Sequence, residues 1–162
     1  MTTQNKPTPN NKDNITNEAV DKELLELCRT ADLAFKGIQG LLKRIKEIEK
    51  RISEIQKELQ NLEAYWGGKP AWIEIKWVLN KYGRKYFYPY LRILERQPDG
   101  TVVKKSIYIG WRNLDEVEKL VRDNRRFRQL MKELQRLYSE YQRLQRRLEK
   151  IRRWLEEARI WG

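Results

Sequence analysis

From Leu41 the apolar residues fall at Leu41, Ile45, Ile48, Ile52, Ile55, Leu59, Leu62 and Trp66, stepping alternately by four and three. That 3.5-residue repeat is a coiled-coil seam held for more than three heptads. Residues 18–66 are therefore expected to form one long helix. Thr16 or Asn17 offers an N-cap, and Glu18 and Asp21 suit the positive end of the helix dipole. Gly37 and Gly40 weaken the helix by roughly 1 kcal/mol each relative to alanine, and Gly67, Gly68 and Pro70 stop it. A second seam runs through Val117, Leu120, Asn124, Phe127, Leu130, Leu134, Leu137, Tyr141, Leu144, Leu148, Ile151, Leu155 and Ala158. It has one 3-3 step around Phe127–Leu134, a break in register that should overwind the pairing locally. Asn113 as N-cap and Glu116 three positions later form a capping-box pattern at its start.

Between the helices the period changes from 3.5 to 2. Residues 71–80, 86–97 and 102–111 alternate as strands do. Lys81-Tyr82-Gly83-Arg84 and Gln97-Pro98-Asp99-Gly100 supply turn residues between them. Pro89 violates the pattern, because proline removes a ladder donor; a bulge or an edge position is expected there. The fold class is α+β: two long helices forming an antiparallel coiled coil that flanks a three-stranded antiparallel β-sheet. The seams pair either within the chain or through a second copy. The parts are a polar tail at 1–17, too poor in apolar residues to order itself, a helical arm at 18–66, a sheet at 69–112 and a second helical arm at 113–162.

Strand parity sorts the side chains into two faces. Ile73, Ile75, Trp77, Leu79, Phe87, Leu91, Ile93, Val103, Ile107, Ile109 and Trp111 make a core face, with the start of the second helix as its natural cover. The other face carries Trp72, Glu74, Lys76, Asn80, Tyr86, Tyr88, Tyr90, Arg92, Arg96, Lys104, Ser106 and Tyr108, with Arg112 at the strand end. Tyrosine is a good strand former, so a tyrosine row can be merely structural. Here cations flank it, and flat rings beside phosphate-neutralising groups suit a sheet that lies on nucleic acid.

Charge sharpens this picture. The chain has 35 Lys and Arg against 23 Asp and Glu, a net +12. Residues 69–112 hold ten basic residues against three acidic, whereas residues 18–68 hold nine against ten. Arginines at 143, 146, 147, 152 and 153, with Lys150, form a strip on the second helix; such a strip is a solvated face, a set of partners for acids of the first helix, or an extension of a phosphate track. One cysteine and no histidine leave no internal disulfide, no Cys/His zinc site and no Ser-His-Asp triad. No Gly-rich phosphate loop occurs, and no apolar run reaches the ~18 residues of a membrane span. No enzymatic activity, cofactor, metal, small-molecule substrate or membrane association is expected. A cytoplasmic location follows from the same reading. The Glu, Lys and Arg content is compatible with a thermophilic source.

The stretch KYGRKYFYPYLRILERQPDGTVVKKSIYIGWRNLDEVEKLV resembles small sheet modules of mobile-element, archaeal, viral or plasmid proteins. It is similar to the three-stranded arm-binding domain of tyrosine recombinases, whose sheet face enters the DNA major groove. The resemblance covers about a quarter of the chain and includes no recombinase catalytic domain. It implies that Tyr86, Tyr88, Tyr90 and Arg92 form the groove-facing strand, with Lys104, Lys105 and Tyr108 beside it. The full nucleic-acid-binding set is Lys76, Arg84, Lys85, Tyr86, Tyr88, Tyr90, Arg92, Arg96, Lys104, Lys105, Tyr108 and Arg112.

The expected function is non-enzymatic binding of nucleic acid, DNA in preference to RNA, with the coiled coil positioning the sheet or joining two copies as a homodimer. Two alternatives are a prefoldin-like chaperone or scaffold and a viral or plasmid structural assembly protein.

Overall fold

The computed structural model describes residues 11–161, with side chains from 18 to 159. The order of elements is α1 (Asn11–Gln60), a 3-10 turn at Tyr65–Gly68, β1 (Ala71–Leu79), β2 (Lys85–Arg96), β3 (Val102–Tyr108), a 3-10 turn at Trp111–Asn113, and α2 (Leu114–Trp161). The fold is α+β, two helices and a three-stranded antiparallel sheet in the order β1-β2-β3.

Two boundaries depart from the sequence reading. Helix α1 already includes residues 11–17, so the polar tail is not non-helical throughout; its first ten residues lie outside the described ones. The same helix ends at Gln60, short of the last two seam positions, Leu62 and Trp66. Trp66 takes a left-handed φ of 53° and packs instead against the cluster of Leu91, Ile93 and Val121. Burying a large indole offsets the cost of that backbone. At the start of α2, the Asn113 side chain turns backward, its Nδ2 donating to the Ile109 carbonyl at 2.9 Å.

The contacts divide the chain at Lys46/Glu47 and Arg146/Arg147 into two units. In the unit containing the sheet, Ile48, Ile55, Leu130, Leu137 and Leu144 are buried along the two helices. Paired polar groups bracket them. Arg51 Nε and Nη2 donate to the two Glu133 carboxylate oxygens at 2.8 and 3.0 Å, and Arg126 forks onto Glu58 at 2.6 and 3.0 Å. Gln56 Nε2 donates to the Tyr138 hydroxyl, and the Tyr141 hydroxyl to Glu49. One arginine of the second helix thus serves as partner for an acid of the first. In the other unit, Leu41 and Ile45 are buried, and Ile38 lines a pocket with Leu148, Ile151 and Leu155.

Asn124 occupies an apolar seam position and is 1% exposed. Its Nδ2 donates to the Lys69 carbonyl at 2.9 Å, tying the entry to β1 onto α2. A buried backbone acceptor needs such a partner, which an apolar residue here would not provide.

The sheet registers are unbroken: Ala71 faces Ile93 through to Leu79 facing Lys85, and Tyr90 faces Tyr108 through to Arg96 facing Val102. Pro89 therefore lies in the central strand with no bulge, opposite Ile75. Its carbonyl accepts from Ile109 N at 3.2 Å, so its nitrogen also faces the β3 side, one residue beyond the end of that ladder. The missing N–H therefore costs β1 no bond, and the Ile109 carbonyl that it would have reached accepts from Asn113 Nδ2 at 2.9 Å instead. The β1–β2 turn closes as its residues dictate. Asn80 Oδ1 accepts from the backbone N–H groups of Tyr82 and Arg84, both at 2.9 Å, and Gly83 takes φ 76°.

Only one end of the expected core face is covered. Ala71, Ile73, Leu91, Ile93 and Ile109 pack with Trp66, Val117 and Val121. Ile75, Trp77, Leu79, Phe87, Val103, Ile107 and Trp111 remain exposed. Val117 and Val121 span about 6 Å of helix rise, whereas β1 is about 30 Å long, so one helical turn cannot cover the strand.

Candidate nucleic-acid interface

The uncovered face opposite Val117 and Val121 is built by register alone. Trp72, Arg92 and Ser106 form one cross-strand row; Glu74, Tyr90 and Tyr108 the next; Lys76 and Tyr88 the third; Val78 and Tyr86 the last. The rings make a continuous strip. Tyr86 stacks on Tyr88 with centroids 6.5 Å apart, and Tyr108 meets Tyr88 and Tyr90 edge-on at 5.9 and 5.7 Å. Lys76 Nζ lies 5.4 Å from the Tyr90 ring centroid, and Lys104 Nζ 5.6 Å from that of Trp72. Each cation–π contact at such an exposed site is worth about 0.5–1 kcal/mol. That is enough to bias the ammonium groups toward the strip and too little to prevent their engaging a phosphate.

Eight of the twelve expected residues share this face: Lys76, Tyr86, Tyr88, Tyr90, Arg92, Arg96, Lys104 and Tyr108. Lys85 and Lys105 do not. Lys85 is opposite Leu79 on the far face, with its Nζ 4.8 Å from the Trp77 ring. Lys105 is opposite Ile93 and bridges to Glu95 at 3.1 Å. An even–odd step along a strand reverses the face, so neither lysine joins the tyrosine strip. Arg84 sits in the β1–β2 turn and Arg112 in the 3-10 turn before α2, both exposed.

Arg92 shares the face but is 7% exposed, its Nε donating to Glu74 at 2.7 Å. A buried guanidinium bound to a carboxylate is not available for a phosphate. Its role here is to hold Glu74, the acid in the middle of the strip. The hydrogen bond from Arg92 holds the Glu74 carboxyl below the usual carboxylate range, against an opposing effect of burial; the positive charges of Arg92, Lys104 and Lys76 add to the lowering. Trp72, beneath Lys104, belongs to the strip as well. The alternation marks its position, although an apolar residue carries no charge signal.

The same sign holds for Glu58 beside Arg126, Glu95 between Lys69 and Lys105, and Glu133 beside Arg51: hydrogen bonds from the cations lower all three. A carboxylate lowered in the fold contributes stability above its unfolded value of about 4.3, and that contribution is lost as pH falls through the folded value. The thermal midpoint should therefore be flat from about pH 7 to 5 and drop below about pH 4. A midpoint unchanged down to about pH 2.5 would count against these pairs.

From Lys76 to Leu94 there is no acidic residue, and five cations occur: Lys76, Lys81, Arg84, Lys85 and Arg92. On the helix strip, Arg152 and Arg153 approach Glu149 at 3.7 and 3.8 Å, and all the strip cations are exposed. Among the described residues, no group of His, Cys, Asp and Glu could hold a metal ion, and no helix is long and apolar enough to cross a membrane. No family model, no curated protein and no solved structure matches the chain.

Proposed function

We propose that the chain is a non-enzymatic protein that binds double-stranded DNA through the tyrosine–lysine face of its sheet. One observation carries this reading. Tyr86, Tyr88, Tyr90 and Tyr108 form an exposed or half-exposed strip with Lys76 over Tyr90 and Lys104 over the adjoining Trp72, Arg96 lies farther along the same face, and the central acid, Glu74, is already occupied by Arg92. The surplus is cationic and sits beside flat rings, which suits contact with a phosphate backbone. In this reading the helices pair as an antiparallel coiled coil that positions the sheet. The contacts Glu49–Tyr141, Arg51–Glu133, Gln56–Tyr138 and Glu58–Arg126 support the direction, since early residues of α1 meet late residues of α2. A cytoplasmic, mobile-element setting with kinship to recombinase arm-binding sheets belongs to the same proposal.

The test is a fluorescence-anisotropy titration of labelled duplex DNA, duplex RNA and single-stranded DNA over about 50–300 mM salt. Duplex DNA should bind best, with log K falling by about 0.9 per neutralised phosphate against log salt. No binding at the lowest salt would overturn the reading. Arg92→Ala separates support from contact. It should lower the unfolding midpoint, because Glu74 loses its partner, and leave the salt slope of the folded protein unchanged. A shallower slope in that variant would return Arg92 to the contact surface.

A second reading has its own support. The exposed apolar half of the far face, with Ile75, Trp77, Leu79 and Phe87, is the kind of surface a chaperone or scaffold presents. Such a protein would suppress aggregation of an unfolded client at physiological salt and ignore duplex DNA.

A further inference from the structure

The α1 repeat does not begin at Leu41. Upstream of it, Val20, Leu24, Leu27, Ala31, Ala34 and Ile38 continue the same alternation of four and three without a break. The burial does not continue. Leu41 and Ile45 are buried, Ile38 is half-buried, and Ala34, Ala31, Leu27, Leu24 and Val20 are all exposed, the last three at 61, 54 and 53%. Leu25, Leu33 and Phe35 are exposed beside them. A seam of this length has no folding benefit unless something covers it, and a helix of such length without packing is marginal in water. We infer that the segment 24–34 of α1 pairs with the same segment of a second copy of this chain, antiparallel, about a two-fold axis near Arg29.

Two observations select a second copy in that direction. The first is the order of large and small residues. In antiparallel pairing each a position faces a d position of the partner. With the axis at residue 29, Leu24 faces the partner's Ala34 and Leu27 faces the partner's Ala31, while Ile38 stays with Leu148, Ile151 and Leu155 of its own chain. Each leucine meets an alanine, so the layers are filled evenly. Parallel pairing would set Leu24 and Leu27 each against its own copy and leave Ala31 and Ala34 each facing its own copy across a gap. The second observation is charge. Glu18, Asp21, Glu23 and Glu26 crowd one end of the segment, with Lys22 alone among them. Parallel pairing lays these acids side by side. Antiparallel pairing moves them apart and brings them beside the partner's 32–40 stretch, where Lys36 balances Asp32. The flanking positions agree: Asp21 faces the partner's Phe35, Glu23 faces the partner's Gly37, and Cys28 faces the partner's Cys28, with no like charges opposed.

This pairing is independent of the DNA reading, since it uses none of the sheet residues, and its test contains no nucleic acid. Sedimentation equilibrium of the full chain should give twice the 19.8 kDa chain mass. A short bis-maleimide reagent should join two chains through Cys28, which is exposed and the sole cysteine. The double variant Leu24→Glu/Leu27→Glu should sediment as a monomer and lose the cross-link. Its unfolding midpoint, extrapolated to low protein concentration, should match the wild type, because both side chains are exposed within one chain. A monomer at about 100 μM wild-type chain, or a dimer that survives the double variant, overturns the proposal. A dimer that dissociates in the variant but never cross-links at Cys28 overturns the antiparallel register.

Discussion

The double variant Lys76→Ala/Lys104→Ala should bind duplex DNA about 30-fold more weakly than wild type near 150 mM salt, with a salt slope shallower by about 1.8. The magnitude follows from counterion release. Each phosphate contact contributes about 0.9 to the slope, so two contacts at that salt amount to about 1.5 decades of affinity. The two lysines are chosen because they lie over Tyr90 and Trp72 on the strip, where both lend positive charge to the Glu74 carboxyl that Arg92 holds. The two lysines at 85 and 105 serve as the control. They carry the same charge on the far face, so Lys85→Ala/Lys105→Ala should reduce the slope by much less. Equal effects from the two pairs would mean that net charge, and not the face, determines binding. The tyrosines give a second arm: Tyr88→Ala should weaken affinity while leaving the slope intact, since a ring releases no counterion.

Ile55→Ala should cost about 2–5 kcal/mol of stability. Ile55 is wholly buried, at 0% exposure, in the unit that contains the sheet. Removing most of its side chain forfeits the transfer energy of three carbons and leaves a cavity where the side chain was wholly buried. Urea unfolding followed by circular dichroism measures the loss. Leu155→Ala is the matched comparison, because Leu155 is 60% exposed and its truncation should change stability by less than about 0.5 kcal/mol. If Ile55→Ala costs under about 1 kcal/mol, the helices are not packed at that seam position.

Much of the sheet was legible in the residues. Alternation located three strands within a residue or three of their ends, and Gly83 and Gly100 adopt the positive φ that their turns require. Parity also assigns the faces, and it already separates Lys85 and Lys105 from the tyrosines; the likeness to recombinase arm-binding sheets set only Lys105 beside them. Other features were not legible. Arg92 counts as one more cation in sequence, yet it is buried against Glu74, two residues off its cross-strand partner Trp72. Pro89 looked like a defect because no local pattern shows that the Asn113 side chain takes over the Ile109 carbonyl. Trp66 fits the heptad repeat, but the sheet cluster claims it.

Local pattern by itself determined two long helices, a three-stranded meander, its turns, its faces and its concentration of positive charge. These follow from backbone preferences and side-chain periods that act over a few residues. Tertiary structure alone decided which cations remain free, how much of the apolar face α2 covers, and where the α1 seam passes from buried to exposed. Those depend on surfaces contributed by residues far apart in the chain, and no period in the sequence encodes how far one surface reaches over another.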